Sequence, residues 1–231
     1  MKRLLMLALC LCLFVLSAQA EETTAFPNGK ALEWEAVLLG RQFRADEGNT
    51  EDVYMLNLYL DGDFFQQLYF TTQETREEGP FIKAADLNFD GYPDLDIVYQ
   101  LGASNSRHIF FFYDQETGKY EPWIFTYMGL SNYDLDAEHA YIINYDHNSA
   151  LSGVKTIYRW DGKTLQPVRS AGVYQDEYDE YTFRLTVSYY SYGPARKETK
   201  EYQRLNIAEA SDEEALEMWK TLEELMWDGL Q

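Results

Sequence analysis

Three stretches of this chain alternate apolar and polar residues on both sides of a tight turn. They are "MLNLYLDGDFFQQLYF" (55–70), "HIFFFYDQETGKYEPWIF" (108–125) and "KTIYRWDGKTLQPV" (155–168). The first turns at Asp61-Gly62 and the third at Asp161-Gly162. Asp-Gly between alternating runs is a strong hairpin signal, because glycine tolerates the positive φ that a tight hairpin turn requires. The pattern therefore predicts repeated antiparallel hairpins and an all-β fold.

The rest of the chain adds strands and one helix. Further strands are expected near 31–39, 80–85, 95–101, 138–144 and 181–191. The segment "RADEGNTED" (44–52) is expected to be mobile or to face solvent. The C-terminal segment 211–231 has a capping box and apolar residues at helical spacing, so it predicts an amphipathic helix. We expect this helix to pack on the domain, although it could instead be offered to a partner's groove.

The first twenty residues have the three parts of a secretory signal peptide. Lys2 and Arg3 are followed by an apolar run and then by Ala18-Gln19-Ala20, a small-residue cleavage site. The apolar run is shorter than the ~20 residues needed to span a bilayer. Both cysteines lie inside this segment, so the exported chain would contain none. The sequence predicts an exported protein, periplasmic or extracellular, whose rigidity comes from a core, a metal or both.

The chain is strongly acidic, with 39 acidic and 19 basic residues and a net charge of −20. Such a charge disfavours binding to nucleic acid or to anionic lipid through a basic face. It favours divalent cations and basic protein partners, and it also serves solubility alone.

The segment "DLNFDGYPDL" (86–95) has the spacing of a calcium-binding loop of the EF-hand kind. The expected oxygen donors are Asp86, Asn88, Asp90, the carbonyl of Tyr92, and Asp94. The loop departs from an EF-hand because position 12 is Ile97 and both flanks have the pattern of strands. We therefore expect a structural calcium site of strand–loop–strand type, with Asp96 on the other face of its strand.

This loop resembles the calcium loop of FG-GAP/VCBS-type propeller repeats. In their order along the chain, the hairpins and the loop over roughly residues 50–170 also resemble a group of exported bacterial proteins. That group includes a calcium-binding, propeller-like immunity protein that inhibits a lysozyme-like toxin of a type IV secretion system. The resemblance implies a small or incomplete β-propeller-like array of hairpins and an extracytoplasmic inhibitor of peptidoglycan-cleaving enzymes.

The sequence contains no constellation typical of an enzyme, so we expect a non-catalytic protein. The three histidines, His108, His139 and His147, form no metal-ligand pair, and no G-x-S-x-G surrounds a serine. We expect His108 and His147 to be structural or solvated. Paired carboxylates for glycoside cleavage stay open, because their separations are invisible in sequence.

The segment "YQDEYDEYTF" (174–183) interleaves tyrosines with acids. Tyrosine gives a large rigid contact surface, and acids steer a basic partner, so this segment is a candidate for binding a basic hydrolase. The alternative is a solvated turn before a strand. The candidate residues are Tyr174, Asp176, Glu177, Tyr178, Asp179, Glu180 and Tyr181.

Together these patterns predict an exported calcium-binding protein-interaction domain. The resemblance implies that this domain inhibits a lysozyme-like hydrolase. The alternative is a calcium-dependent module that recognises surface glycans. The predicted organisation is a signal peptide at 1–20, an N-terminal strand and mobile segment at 21–50, a propeller-like domain at 51–210 and the helix at 211–231.

Overall fold

The computed structural model describes residues 25–44, 48–73, 79–123, 130–147, 152–190, 197–206 and 208–230. These residues belong to two compact units, one within Ala20–Ser131 and one within Asn132–Gln231, which we call the N-terminal unit and the C-terminal unit. The division falls inside the predicted 51–210 domain. The predicted signal peptide lies outside the described residues.

The described part of the N-terminal unit contains two antiparallel sheets. The first sheet has the order β1-β2-β3, with β1 (Leu32–Arg44), β2 (Asn49–Leu60) and β3 (Asp63–Thr72). The second has the order β4-β5-β6-β7, with β4 (Ile82–Ala85), β5 (Asp94–Leu101), β6 (Ser106–Asp114) and β7 (Lys119–Pro122).

The two sheets of the N-terminal unit share one apolar core. Strand alternation directs every second side chain inward, so Leu56 and Leu58 of β2 are fully buried, as are Leu95 and Ile97 of β5. The core also holds an aromatic group around Tyr120, whose hydroxyl donates to the carbonyl of Pro93 at 2.7 Å. This core fixes the loop that precedes β5.

The described part of the C-terminal unit contains one six-stranded antiparallel sheet with the order β13-β12-β11-β10-β9-β8. Its strands are β8 (Asn132–Asp136), β9 (Tyr141–His147), β10 (Gly153–Asp161), β11 (Thr164–Gln175), β12 (Thr182–Tyr190) and β13 (Lys197–Asn206). Consecutive strands pair throughout, so the sheet is a simple meander.

One helix, α1 (Asp212–Trp227), packs on this sheet. Its N-cap Ser211 and Glu214 form the predicted capping box, and Met218 and Leu222 are buried in the core of the sheet. The last turn of α1 contains no basic residue of its own. Instead, the buried Arg169 of β11 donates to backbone carbonyls there, including that of Asp228, and so supplies the positive charge that a helix C-terminus favours.

Three antiparallel sheets and one C-terminal helix among the described residues confirm the predicted all-β class and are consistent with a small propeller-like array. The predicted hairpins are also confirmed, although the third turns at Gly162-Lys163, one residue later than predicted, because Asp161 pairs with Thr164. Asp61 and Gly62 both have positive φ, 53° and 81°, as a two-residue primed turn requires. Among the described residues, no helix combines the length and apolar character needed to cross a membrane.

The prediction that 44–52 is mobile or faces solvent is wrong for its last two residues, Glu51 and Asp52, whereas residues 48–50 are exposed and 45–47 lie outside the described residues. Residues 49–52 belong to β2, and Glu51 and Asp52 are buried. Arg41 of β1 donates to both carboxylate oxygens of Asp52, at 2.5 and 2.9 Å, and the Tyr99 hydroxyl donates to Glu51 at 2.6 Å. These bonds offset the burial of charge and fasten the end of β1 to its neighbour.

The same contacts change the titration of both acids. The hydrogen bond from Arg41 lowers the pKa of Asp52, and the hydrogen bond from Tyr99 lowers the pKa of Glu51, in each case against the effect of burial. A carboxyl whose folded pKa is depressed adds stability above its unfolded pKa of about 4 and loses it as the pH falls through the folded pKa.

We therefore expect Asp52→Asn to lower the stability at pH 7 and to flatten its decline below about pH 4. Urea midpoints measured from pH 7 to pH 2 check this. Arg41→Gln should flatten the profile in the same way, and the double variant should add little because both changes break one interaction. Fully additive effects would show that the two side chains act separately.

Candidate functional site

The loop 86–93 joins β4 to β5, and Ala85 pairs with Asp94 where the two strands meet. This is the strand–loop–strand arrangement that the sequence predicts. Phe89 and Gly91 adopt positive φ, 59° and 87°, so the chain bends sharply twice. Glycine takes this conformation at no steric cost.

Three of the predicted donors are linked to one another in this loop. The carboxylate of Asp86 accepts hydrogen bonds from the backbone N–H groups of Asp90 and Gly91, at 3.0 and 2.8 Å. The Asn88 amide accepts from the N–H of Asp90 at 3.1 Å and donates to the Asp90 carboxylate at 3.0 Å. The structure therefore brings Asp86, Asn88 and Asp90 together.

Asp94, the fourth side-chain donor, is fully buried. Its two oxygens accept from the backbone N–H groups of Leu87, at 3.0 Å, and Tyr113, at 2.9 Å, so it ties the loop to β6. The pKa of Asp94 is raised to about 8, mainly by burial and to a lesser extent by the nearby charges of Asp90 and Asp86, against the two hydrogen bonds that lower it. Keeping this carboxylate ionised near two other acids costs free energy that a cation would offset.

The chemistry of the donor set suits a hard cation. Carboxylate, amide and carbonyl oxygens at alternating positions are the ligands that calcium takes in proteins, whereas zinc prefers nitrogen and sulfur. Within the described part of the chain, no group of three or more His, Cys, Asp or Glu side chains is placed to hold a metal ion. Any calcium in this loop would therefore depend on the amide of Asn88 and on backbone oxygen as well as on carboxylates.

Asp96 stays out of this loop, but for a different reason from the one predicted. Residues 94 and 96 lie on the same face of β5, because strand side chains alternate with a period of two. The Asp96 carboxylate instead contacts Lys83 at 3.2 Å and the His108 ring at 2.6 Å.

The second candidate site is the loop 176–181, which we call the docking loop. It joins β11 to β12 in the C-terminal unit, and backbone bonds close it at both ends. The N–H of Asp176 donates to the carbonyl of Thr182 at 2.8 Å, and the N–H of Thr182 donates to the carbonyl of Asp179 at 3.0 Å. Such closure limits the conformations that the loop can adopt.

Two acids of the docking loop are structural. Asp176 accepts from the N–H of Tyr178 at 2.9 Å, and its carboxylate lies 3.4 Å from Arg184 and 3.7 Å from Arg204. Asp179 accepts from the Thr182 hydroxyl at 2.6 Å, and this bond is the main cause of its lowered pKa. Both carboxylates therefore hold the loop in shape.

The other side chains of the loop face solvent. Tyr178 is 95% exposed at the tip, and Glu177, Glu180 and Tyr181 are exposed beside it. Tyr174 lies at the end of β11, where Gly172 leaves room for its ring: a Cβ built on Gly172 would lie 2.7 Å from that ring. A cavity of about 490 Å³ lies at the loop, lined by Asp176, Glu177, Tyr178, Asp179, Thr182, Arg184 and Arg204.

Sequence reasoning missed a third cluster, formed by Ser106, His108, Asp96 and Lys83 in the N-terminal unit. The Ser106 Oγ lies 2.7 Å from His108 Nε2, and His108 Nδ1 lies 2.6 Å from Asp96 Oδ1. Strand register, which the sequence does not show, places β5 beside β6 and brings these residues together. His108 is thus structural, as predicted, and buried rather than solvated.

The order of contacts, serine to histidine to aspartate, is that of a Ser-His-Asp triad. The hydrogen of the serine hydroxyl, however, points away from the histidine. Ser106 Oγ also lies 2.6 Å from the carbonyl oxygen of Ser131, which can only accept, so the hydroxyl hydrogen is donated there. The serine hydrogen is therefore not directed at His108 Nε2. A serine activated for attack needs the opposite arrangement, in which histidine accepts its proton. The cluster is better suited to joining two strands.

The comparisons with known proteins are sparse. No protein-family model and no curated protein matches this chain. Among solved structures, it is similar to the structure of a Xanthomonas type IV secretion system related protein, with a TM-score of 0.52 and 8% sequence identity. The alignment covers 80% of this chain and 98% of that one. At this identity the likeness shows a shared fold.

We expect Asp96→Asn to destabilise the protein by about 3 kcal/mol, because the change removes a fully buried carboxylate that pairs with Lys83 and hydrogen-bonds to the His108 ring. Ser106→Ala should cost only about 1 kcal/mol, the typical value of one hydrogen bond. Denaturant unfolding measures both. A fluorophosphonate probe should leave Ser106 unlabelled, and covalent labelling of this serine would contradict the assignment of proton direction.

Proposed function

We propose that this chain is an exported immunity-type inhibitor that binds a basic peptidoglycan hydrolase through its docking loop. The observation that carries the proposal is the contrast within this loop. Asp176 and Asp179 are used internally, whereas Tyr178, Glu177 and Glu180 are presented to solvent on a closed backbone.

The physical argument rests on preorganisation and charge. A loop that is already ordered loses little conformational entropy when it binds, so more of the contact energy appears as affinity. Tyrosine is among the residues that most often dominate a binding interface, because its ring is large and its rotamers are few. A net charge of −20 would accelerate the approach of a basic enzyme.

The structural likeness supports an extracytoplasmic setting. The similar Xanthomonas protein is described as related to a type IV secretion system, and we extend that setting to this chain. Secretion systems of this kind deliver proteins across envelopes, so a signal peptide and an acidic docking loop would place an inhibitor where a delivered hydrolase acts.

We expect Tyr178→Ala to weaken inhibition of a basic lysozyme-like hydrolase at least about tenfold, because the exposed ring at the tip of the loop would become buried against the enzyme. Turbidity assays on cell-wall suspensions and titration calorimetry would measure the change. Tyr69→Ala is the matched control, since Tyr69 is exposed on the other unit.

The acids should act differently from the tyrosine. Glu177→Gln with Glu180→Gln should slow association and reduce its salt dependence more than it speeds dissociation. If both the tyrosine and the glutamate variants inhibit as well as the wild type, the docking loop is not part of the interface.

We also propose that the loop 86–94 binds calcium, held by Asp86, Asn88, Asp90, the Tyr92 carbonyl and Asp94. Bound calcium would supply positive charge to this acidic loop and stabilise the folded state that binds it. Because Asp94 joins the loop to β6, we expect the ion to be structural rather than part of the docking loop.

We expect calcium to raise the melting temperature of the wild-type protein, and Asp86→Ala with Asp90→Ala to abolish that rise. Calorimetric titration of chelator-treated protein measures binding directly. Asp134→Ala in the C-terminal unit is a control that removes a carboxylate elsewhere. A wild-type melting curve that calcium leaves unmoved would show that the loop is closed by its own hydrogen bonds alone.

A second candidate function, glycan recognition, is favoured by the outer face of the β1–β3 sheet. Phe64 and Tyr69 are 63% and 60% exposed there. Between them, the Gln67 amide donates to Asn57 at 2.9 Å and the Tyr69 hydroxyl donates to Gln67 at 2.6 Å. Aromatic rings beside amides suit sugar rings and hydroxyls. A glycan array that responds to Tyr69→Ala but not to Tyr178→Ala would support this alternative.

A further inference from the structure

The first strand of the N-terminal unit is a long strand at the edge of its sheet. β1 has 13 residues and stands at the end of the order β1-β2-β3, so β2 is its neighbour among the described strands. Leu38 and Leu39 are each 53% exposed on this strand, and Phe43 is 67% exposed. A long edge strand with exposed apolar residues is a template for pairing with another chain, which proteins normally block with charge, proline or short strands.

A β-bulge near the middle of β1 divides it into two halves. The pairing with β2 shifts between Leu38 and Gly40, so Leu39 is the extra residue. On the first half, Trp34 pairs with Leu58 and, on the second, Phe43 pairs with Thr50. These two partners lie an even number of residues apart on β2, so Trp34 and Phe43 share the same sheet face and the same hydrogen-bonding direction.

The same reasoning applies to the charged ends of the strand. Glu33 pairs with Tyr59 and Arg44 pairs with Asn49, again an even number of residues apart on β2. Glu33 and Arg44 therefore share the opposite face of the sheet. The strand carries an acid at one end, a base at the other and leucines at its centre.

We infer that β1 pairs with β1 of a second copy of this chain, antiparallel, about a two-fold axis between Leu38 and Leu39. In this register Glu33 of one copy lies across from Arg44 of the other, and Trp34 lies across from Phe43. The axis repeats each pair, so the interface contains two opposite-charge pairs and two aromatic pairs around four central leucines. A shift by one residue would place side chains from opposite faces across from each other, which strand geometry forbids.

The complementarity of the strand itself favours a second copy over an unrelated strand. The whole chain has a net charge of −20, which opposes self-association. The edge strand itself, however, carries two acids and two bases, Glu33, Glu35, Arg41 and Arg44, of which Arg41 already pairs with Asp52 and Arg44 lies 3.9 Å from Glu51. Arg41 is held on the strand by its bonds to Asp52, which keeps the end of the edge ordered. This inference does not rest on the proposed inhibitory function.

Sedimentation velocity of the purified exported chain over a range of concentrations tests the pairing. We expect a concentration-dependent shift from the mass of one chain to that of two. Glu33→Arg and Arg44→Glu should each weaken dimerisation about tenfold, since each places two like-charge pairs across the axis. Mixing the two variants should restore dimers, because a mixed pair of chains regains both opposite-charge contacts.

Matched controls separate this register from general effects of charge. Glu209→Arg and Lys119→Glu make the same charge changes at exposed positions outside β1 and should leave dimerisation unchanged. Leu39→Lys should give a monomer, and its circular dichroism and melting temperature show whether it still folds. A wild-type chain that stays monomeric at all concentrations overturns the inference. Dimers that form equally well in either single variant, with no gain on mixing, overturn it as well.

Discussion

The buried carboxylate of Asp94 holds the candidate calcium loop in place. It binds the backbone of the loop at Leu87 and the backbone of β6 at Tyr113, so the hairpin of β4 and β5 cannot shift without breaking both bonds. Burial raises its pKa to about 8, which means that its ionised form is costly near neutral pH. A calcium ion would offset that cost and the repulsion from Asp86 and Asp90 at the same time.

The acids of the docking loop, unlike Asp94, are stabilised without a metal ion. Here Asp176 lies near arginines of β12 and β13, Asp179 accepts a hydrogen bond from Thr182, and the other two acids are exposed on either side of Tyr178. An exposed charge costs little to keep ionised, and it acts on a partner before contact is made. The calcium loop would therefore contribute stability, whereas the docking loop would contribute recognition. The two roles lie in different units of the chain.

Features that depend only on residues near one another in the chain could be predicted from the sequence, whereas features that depend on strand pairing could not. The turn at Asp61-Gly62, the Ser211 cap and the spacing of Asp86, Asn88 and Asp90 depend on neighbours along the chain, so they could be predicted. The cluster of Ser106, His108 and Asp96 depends on the register between β5 and β6, which no single segment encodes. Glu51 and Asp52 were predicted to face solvent, yet Tyr99 of β5 and Arg41 of β1 make the burial of these two acids favourable. Which acids of the docking loop are used internally was equally hidden, since all four carry a carboxylate and the contacts of Asp176 and Asp179 form only in the folded chain.

Self-pairing through β1 would also change what the docking loop can do. A chain with one loop binds one enzyme, whereas two paired chains carry two loops on one particle. When enzymes are fixed in a dense cell wall, the second binding event becomes intramolecular, and the apparent affinity rises without any new contact. That gain depends on concentration, because the weak edge pairing forms only where copies are abundant. An inhibitor of this kind would hold its targets most tightly where export is strongest.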